Sequence, residues 1–239
     1  MTSMLSDKGN VRSFNEDYAK YLETKEYNIY VVADGMGGHN AGEVASKMAA
    51  NGIIEYISNN ISNEKHEEIL KNAINKVNLD IFNASKEKDE CHGMGTTITA
   101  CLVIGKEVIV ANVGDSSSHI IRGNSLIKIT KDHSLVQELV DLGTISEIQA
   151  AHHPKKNIIT RAVGTNESVV VDIFTIEKSK FDIFMLCSDG LTNEITREDI
   201  ISAIDQEKSL EDTCNRLVNI AKNNGGKDNI TVLLFGGER

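Results

Sequence analysis

Tyr27-Asn28-Ile29-Tyr30-Val31-Val32-Ala33-Asp34-Gly35-Met36-Gly37-Gly38-His39-Asn40 begins apolar and ends in small and polar residues. Its first seven residues are rich in β-branched and aromatic side chains, which suit a pleated strand. The strand is expected to break at Asp34-Gly35. Beyond it, Val44, Ala45, Met48, Ala49, Ile53, Tyr56 and Ile57 recur at helical spacing. Asn40 followed by Glu43 reads as an N-cap with its capping-box partner. The stretch is therefore strand, glycine-rich turn, helix, with one carboxylate at the strand's end. A lone Asp-Gly pair is an ordinary turn. Further acids in similar settings give this one a second meaning.

Asp115 and Asp189 also follow apolar strand-like runs and have glycine neighbours. Asp228 precedes the run Ile230–Phe235, and Asp17 precedes another candidate strand. In antiparallel neighbours the end of one strand lies beside the start of the next, so these carboxylates are expected to converge at one mouth of the sheets. Converging, desolvated acids repel strongly. The sequence offers one nearby arginine, Arg12, and no lysine cluster to neutralise them. Divalent cations are the economical answer, and all-oxygen ligation selects Mg²⁺ or Mn²⁺ over Zn²⁺. Two such ions match the charges of Asp17, Asp34, Asp189 and Asp228. Gly35 leaves room for a backbone carbonyl to approach a cation.

Elsewhere the chain alternates between two periods. A second amphipathic helix is expected from about Glu67 to Ala84, with Leu70, Ala73, Ile74, Val77, Ile81 and Phe82 on one face. Thr96–Ile104 and Val108–Val113 read as a hairpin about Gly105-Lys106. Ser118–Arg122 and Ser125–Ile129 read as another about Gly123-Asn124. Residues 131–168 are less regular. They hold a short helix, Val136–Leu142, that stops at Gly143, and a polar loop with His152-His153-Pro154, which lacks a third ligand at metal-site spacing. A long excursion of this kind in a compact domain reads as a flap. The strand run Phe181–Cys187, helices near Arg197–Ile204 and Leu210–Lys222, and the strand Ile230–Phe235 complete the pattern. Short strands between long helices argue for an α+β protein, antiparallel sheets covered by helices.

The 239 residues contain no linker, low-complexity segment or fixed-period repeat, so one domain, 1–239, is expected. A formal charge of -10 argues against general affinity for nucleic acid or anionic membrane. No apolar run approaches the ~18 residues of a membrane span. Asp7, Lys8 and Arg12 leave no apolar signal-peptide core at the N-terminus. Cys91, Cys101, Cys187 and Cys214 form no C-x-x-C pair and read as reduced, mostly buried thiols. The expectation is a cytoplasmic monomer.

Arg12-x-x-Asn15-Glu16-Asp17, Val32-Ala33-Asp34-Gly35-Met36-Gly37-Gly38, Gly93-Met94-Gly95-Thr96-Thr97, Val113-Gly114-Asp115-Ser116, Ser188-Asp189-Gly190 and Asp228-Asn229-Ile230-Thr231 stand in this order along the chain. Together they resemble the motifs of the metal-dependent protein phosphatases of the 2C type, in their bacterial serine/threonine form. Asp132-His133-Ser134, Leu142-Gly143 and His153-Pro154-x-x-Asn157 resemble that group's flap region. The resemblance implies a four-layer αββα sandwich, two antiparallel sheets flanked by helices, with a flap. It implies a two-metal centre of Mn²⁺ or Mg²⁺ held by Asp34, the Gly35 carbonyl, Asp189 and Asp228, with Glu16 and Asp17 in support. A third ion would be held by Asp115 with Asp189. Arg12 would bind the substrate phosphate. The implied reaction is hydrolysis of phosphoserine and phosphothreonine in proteins by a two-metal-activated hydroxide, with no phosphoenzyme, opposing a bacterial Ser/Thr kinase. The chain departs from the pattern at Ser117, where the family has arginine. It has Met36, as bacterial relatives do, where eukaryotic ones place histidine.

Three other readings are weaker. A phosphatase dedicated to one partner-switching regulator is disfavoured by the intact Arg12 motif and the full-length flap. Strand, Gly-x-Gly-Gly, helix suggests a dinucleotide site, but counting from Gly35 the third glycine position is Asn40, and the strand ends in an acid that repels pyrophosphate. An inactive family member acting as a regulatory interaction domain conflicts with an acid at every metal-ligand position.

Overall fold

The computed structural model describes residues 1–37, 41–87 and 89–237. Strand β1 is Thr2–Asp7, β2 is Asp17–Glu23 and β3 is Asn28–Met36. Helices α1, Ala41–Asn60, and α2, His66–Glu87, follow. Five short strands come next: β4, Gly95–Thr96; β5, Ile98–Ile104; β6, Glu107–Val113; β7, Ser117–Arg122; and β8, Ser125–Lys128. Short helices α3, Leu135–Asp141, and α4, Glu147–Ala151, lie in the irregular stretch. The chain closes with β9, Asp172–Glu177; β10, Ile183–Cys187; α5, Asp189–Thr192; α6, Arg197–Gln206; α7, Leu210–Asn223; and β11, Ile230–Gly236.

Among the described residues the strands pair into two antiparallel sheets, ordered β1-β11-β10-β7-β8 and β2-β3-β5-β6-β9, with β4 on the end of β3. Three apolar layers hold them. Ile29, Val31 and Ala33 of β3 pack under α1 and α2. Met185 and Cys187 of β10 pack under α6 and α7. Tyr30, Val32, Phe184, Leu186, Leu233 and Phe235 fill the space between the sheets. The split follows from the two-residue period of a strand, which sends alternate side chains to opposite faces. Tyr30 and Phe184 stack on Phe235 at centroid separations of 3.8 and 5.1 Å, binding the sheets at mid-length. This is the expected four-layer sandwich. Among the described residues no helix is long and apolar enough to cross a membrane, and all four cysteines are free and buried.

The structure departs from the sequence reading in a few places. Strand β3 continues through Asp34 to Met36, because β4 supplies partners for Gly35 and Met36. Strand β1 lies in a segment where the sequence reading placed no element; it is held by β11, far away in the chain, through pairs such as Leu5↔Val232 at its middle. Strand β9 has no clear alternation and is recruited by β6 at a sheet edge. Helix α4 rests on the Ser146–Gln149 capping box. The expected cap at Asn40 lies outside the described residues.

Two close approaches pack the strand ends tightly against neighbouring backbone. A Cβ on Gly35 would collide with the Gly42 carbonyl of α1, and one on Gly190 with the Asn229 carbonyl. Both obstacles are backbone and cannot swing aside. Gly190→Ala should therefore cost about 1–3 kcal/mol as overpacking, a fall of roughly 2–12 °C in Tm for a chain of this size. Calorimetry of the variant checks this; an unchanged Tm would mean that α5 can move off Asn229 freely.

Candidate functional site

On every strand that faces the seam between the sheets, the inward side chains turn polar at the same end. Ala19 is followed back to Asp17; Tyr30 and Val32 lead to Asp34; Phe184 and Leu186 lead to Ser188. Asp34 thus shares the parity of two core residues and points into the seam. Asp17 sits directly opposite it in the β2–β3 register. Asp189 opens helix α5 immediately after β10, and Asp228 lies just before β11.

These ends form an open cleft of about 270 Å³ lined by Arg12, Glu16, Asp34, Gly35, Met36, Asp115, Asp189 and Asp228. Asp17 lies buried behind it, 5% exposed, with Oδ2 accepting from the Ser188 hydroxyl at 2.7 Å. The predicted residues therefore do come together. Arg12 pairs with Asp228, Nη2 donating to Oδ2 at 2.9 Å, rather than with its sequence neighbours Glu16 and Asp17. Asp228 Oδ1 accepts the Asn229 N–H at 2.8 Å. The Asn229 amide donates to the Phe14 and Lys8 carbonyls, and its oxygen accepts the Glu16 N–H. The Arg12 loop is thereby laced to the Asp228 loop. Asp189 Oδ2 accepts from the Asn193 amide at 3.0 Å, one turn along α5. Asn193 and the lacing role of Asn229 were not read from the sequence; the only local signal for Asn193 is its four-residue spacing from Asp189.

The electrostatics are those of acids crowded without enough countercharge. Burial, and then repulsion from Asp189 and Asp228, push Asp17 up to about 7 against the bonds from Ser188 and Thr231. Burial followed by repulsion raises Asp115 to about 7 and Asp189 to about 6. Asp34 stands well above the usual carboxylate range through burial and the combined charge of Asp17, Asp189, Asp115 and Asp228. Burial raises Glu16 as well. Glu16 Oε1 and Asp17 Oδ1 are buried with no hydrogen-bond partner. Buried carboxylate oxygens left in this state call for a cation, and an all-oxygen set suits a hard one. Among the described residues no three His, Cys, Asp or Glu side chains close into a ready-made ion site. An open mouth with carbonyls at hand is the kind of site that leaves positions for water and substrate oxygens.

Met36 lines the cleft and carries no exchangeable proton. His39 lies outside the described residues. Ser117, where the resemblance would place an arginine, is buried and bonded to His119 Nε2 at 2.9 Å. His152 and His153 stay outside the cleft.

Comparison with known proteins agrees with this architecture. The protein phosphatase 2C family profile matches residues 10–234. The serine/threonine phosphatase stp of Listeria welshimeri is 40% identical over 233 residues, covering 96% of this chain and 92% of its own. The crystal structure of serine/threonine phosphatase Stp1 from Staphylococcus aureus superposes with a TM-score of 0.90 at 35% identity, covering 100% of this chain and 95% of that one. The catalytic domain of serine threonine protein phosphatase PstP in complex with 2 manganese ions matches with a TM-score of 0.83 at 32% identity, covering 98% and 96%. With the ordered acids, the two-sheet seam and these matches in hand, the chain belongs to the protein phosphatase 2C family.

Proposed function

We propose that this chain is a cation-dependent protein phosphatase that hydrolyses phosphoserine and phosphothreonine monoesters. The observation that carries the reading is the meeting of Asp34, Asp189 and Asp228 with Arg12 in one open cleft. Asp34, the Gly35 carbonyl, Asp189 and Asp228 would hold two Mn²⁺ or Mg²⁺ ions, with Glu16 and Asp17 behind them, and Asp115 with Asp189 would hold a third. Bound cations supply charge that polarises phosphoryl oxygens and lowers the pKa of water. Arg12 presents a planar guanidinium with five donors. One is spent on Asp228, which orients the rest toward the cleft for a phosphate. Asp228 is in turn fixed by the Asn229 N–H. Met36 gives no proton to the departing alkoxide, so that proton comes from water or another acid.

The reading extends to one catalytic unit over residues 1–239, with 131–168 as a flap. Its support is that Asn157 and Ile159 line the cleft and that Lys156 Nζ donates to Asn193 Oδ1 at 2.9 Å. The partners would be phosphorylated proteins and the kinase that modifies them, with the chain acting as a cytoplasmic monomer.

The direct test is release of phosphate from a phosphothreonine peptide with Mn²⁺ and with excess chelator. Turnover should require the metal, and equal rates in both would end the proposal. Arg12→Lys keeps the charge but loses the fork; at about 1.5–3 kcal/mol for a charged hydrogen bond it should lower kcat/KM roughly 10- to 150-fold, with Mn²⁺ binding nearly unchanged. A matching loss of Mn²⁺ affinity would make Arg12 a structural counter-ion instead.

Without metal the raised carboxylates carry a signature in stability. Asp17, Asp115 and Asp189 are protonated in the folded chain up to about 6–7 and only to about 4 when unfolded. The folded state therefore holds more protons between these values and loses stability as pH rises through them. In chelator, Tm should fall from about pH 5 to about pH 7.5, and Mn²⁺ should remove that slope. A flat metal-free profile would contradict the crowding.

Met36 generates a last expectation. With no side-chain donor at that position, general acid help worth roughly 10²–10⁴-fold is missing for basic leaving groups. Single-turnover rates should drop steeply from aryl to alkyl phosphates; a flat series would reveal another efficient acid.

A further inference from the structure

Just beneath the acids the seam between the sheets is lined by hydroxyls. Thr97, Thr99, Ser116, Ser118, Ser188 and Thr231 are at most 2% exposed. Buried hydroxyls are costly unless each is bonded, and here several of the bonds run across the seam. Thr99 Oγ1 meets Ser118 Oγ at 2.7 Å, Thr97 Oγ1 meets Ser116 Oγ at 2.7 Å, and Ser188 reaches Asp17. Thr97 and Thr99 lead into and lie on β5, while Ser116 and Ser118 lead into and lie on β7, in the opposite sheet.

The Thr97 pair differs from the Thr99 pair in what it holds. Thr97 Oγ1 also accepts the Asp34 N–H at 3.0 Å, and the Thr97 N–H donates to the Asp34 carbonyl at 2.9 Å. Thr96 Oγ1 donates to that same carbonyl at 2.9 Å. Ser116 directly follows Asp115 in the chain. A strap of two hydroxyls thus runs from the backbone of one acid to the neighbour of another, across the sheets. Asp34 and Asp115 bear like charges and push each other apart. Threonine is stiff about χ1, and a hydrogen bond has a preferred length and direction. An apolar pair of the same shape would fill the space without setting a distance, because hydrophobic contact is non-directional.

We propose that Thr97 and Ser116 are positioning residues, whose hydroxyl–hydroxyl hydrogen bond sets the separation of Asp34 and Asp115 and thereby the affinity of the cation that Asp115 would hold and the turnover rate. The inference rests on the reading of the cleft as a cation centre. It gives the Gly95-Thr96-Thr97 segment a role in the chemistry although only Thr97 touches the cleft.

The test uses the full chain with Thr97→Val, Thr97→Ser, Ser116→Ala and the Thr97→Val/Ser116→Ala double variant. Mn²⁺ binding is measured by calorimetry, and kcat and KM with p-nitrophenyl phosphate, after thermal unfolding has shown each variant folded. Thr97→Val should weaken the weakest Mn²⁺ step and lower kcat, each by about tenfold or more, as loss of a supporting partner does. KM should move by less than about twofold, because Arg12 lies outside the strap. Thr97→Ser should restore both values. The double variant should be no worse than Thr97→Val alone, since Ser116→Ala breaks only the bond to Thr97 that Thr97→Val has already removed. Unchanged binding and kcat in Thr97→Val, equal losses in Thr97→Ser, or additive losses in the double variant would each overturn the proposal. If Thr97→Val does not fold, Ser116→Ala answers through the same readouts, because it leaves the Asp34 amide bonded to Thr97. If the parent chain takes up no Mn²⁺, the cation reading fails first and this inference falls with it.

Discussion

Asp17 and Asp34 face each other across adjacent antiparallel strands, a placement that costs stability wherever like charges are bare. Asp189 and Asp228 add to the repulsion from the other sheet. Much of the molecule serves to hold these groups where they repel. Stacked Tyr30, Phe184 and Phe235 lock the sheets at mid-length. Hydroxyl bonds tie them nearer the mouth, and the Asn229 amide laces the Arg12 loop to the Asp228 loop. The polar end of the seam is thus strained electrostatically and restrained geometrically, which is the condition for binding cations in a defined arrangement.

The irregular stretch is fastened to the same framework. The His133 N–H donates to the Gly114 carbonyl at 2.9 Å, and the Gly114 N–H donates back to His133 Nδ1 at 3.0 Å. At the far end Val163 exchanges backbone bonds with Thr96. Asn78 of α2 holds the following turn, its oxygen accepting the Gly164 N–H and its amide donating to the Asn166 and Glu167 carbonyls. Both roots of the stretch therefore bear on residues adjacent to Asp115 and Asp34. Between the roots, Leu142 and Ile148 stand almost fully exposed, 78% and 79%, so the tips are fixed by little apolar burial while the roots are fixed by hydrogen bonds.

Long, strongly patterned elements were legible from residue order alone. The stripes of α1 and α2, the hairpins about Gly105 and Gly123 and the runs that became β10 and β11 follow from local periodicity and turn chemistry. Strand β1 was not legible, because Thr2–Asp7 is half-exposed and gains its identity only from β11. Strand β9 failed for the same reason against β6. The end of β3 was misplaced at Asp34, since its two-residue partner there, β4, comes about 60 residues later in the chain, beyond α2.

For the site, residue order determined which acids sit at strand ends and which glycines stand beside them, because alternation and turn preference are properties of a few consecutive residues. It also determined the excess of acid over base that asks for cations. Tertiary structure decided the rest. That Arg12 answers to Asp228, that Asp17 lies behind the cleft while Asp34 lines it, and that Thr97 reaches Ser116 depend on how two sheets meet. Those distances are set by side chains packed from opposite ends of the chain, and no window of neighbouring residues contains them.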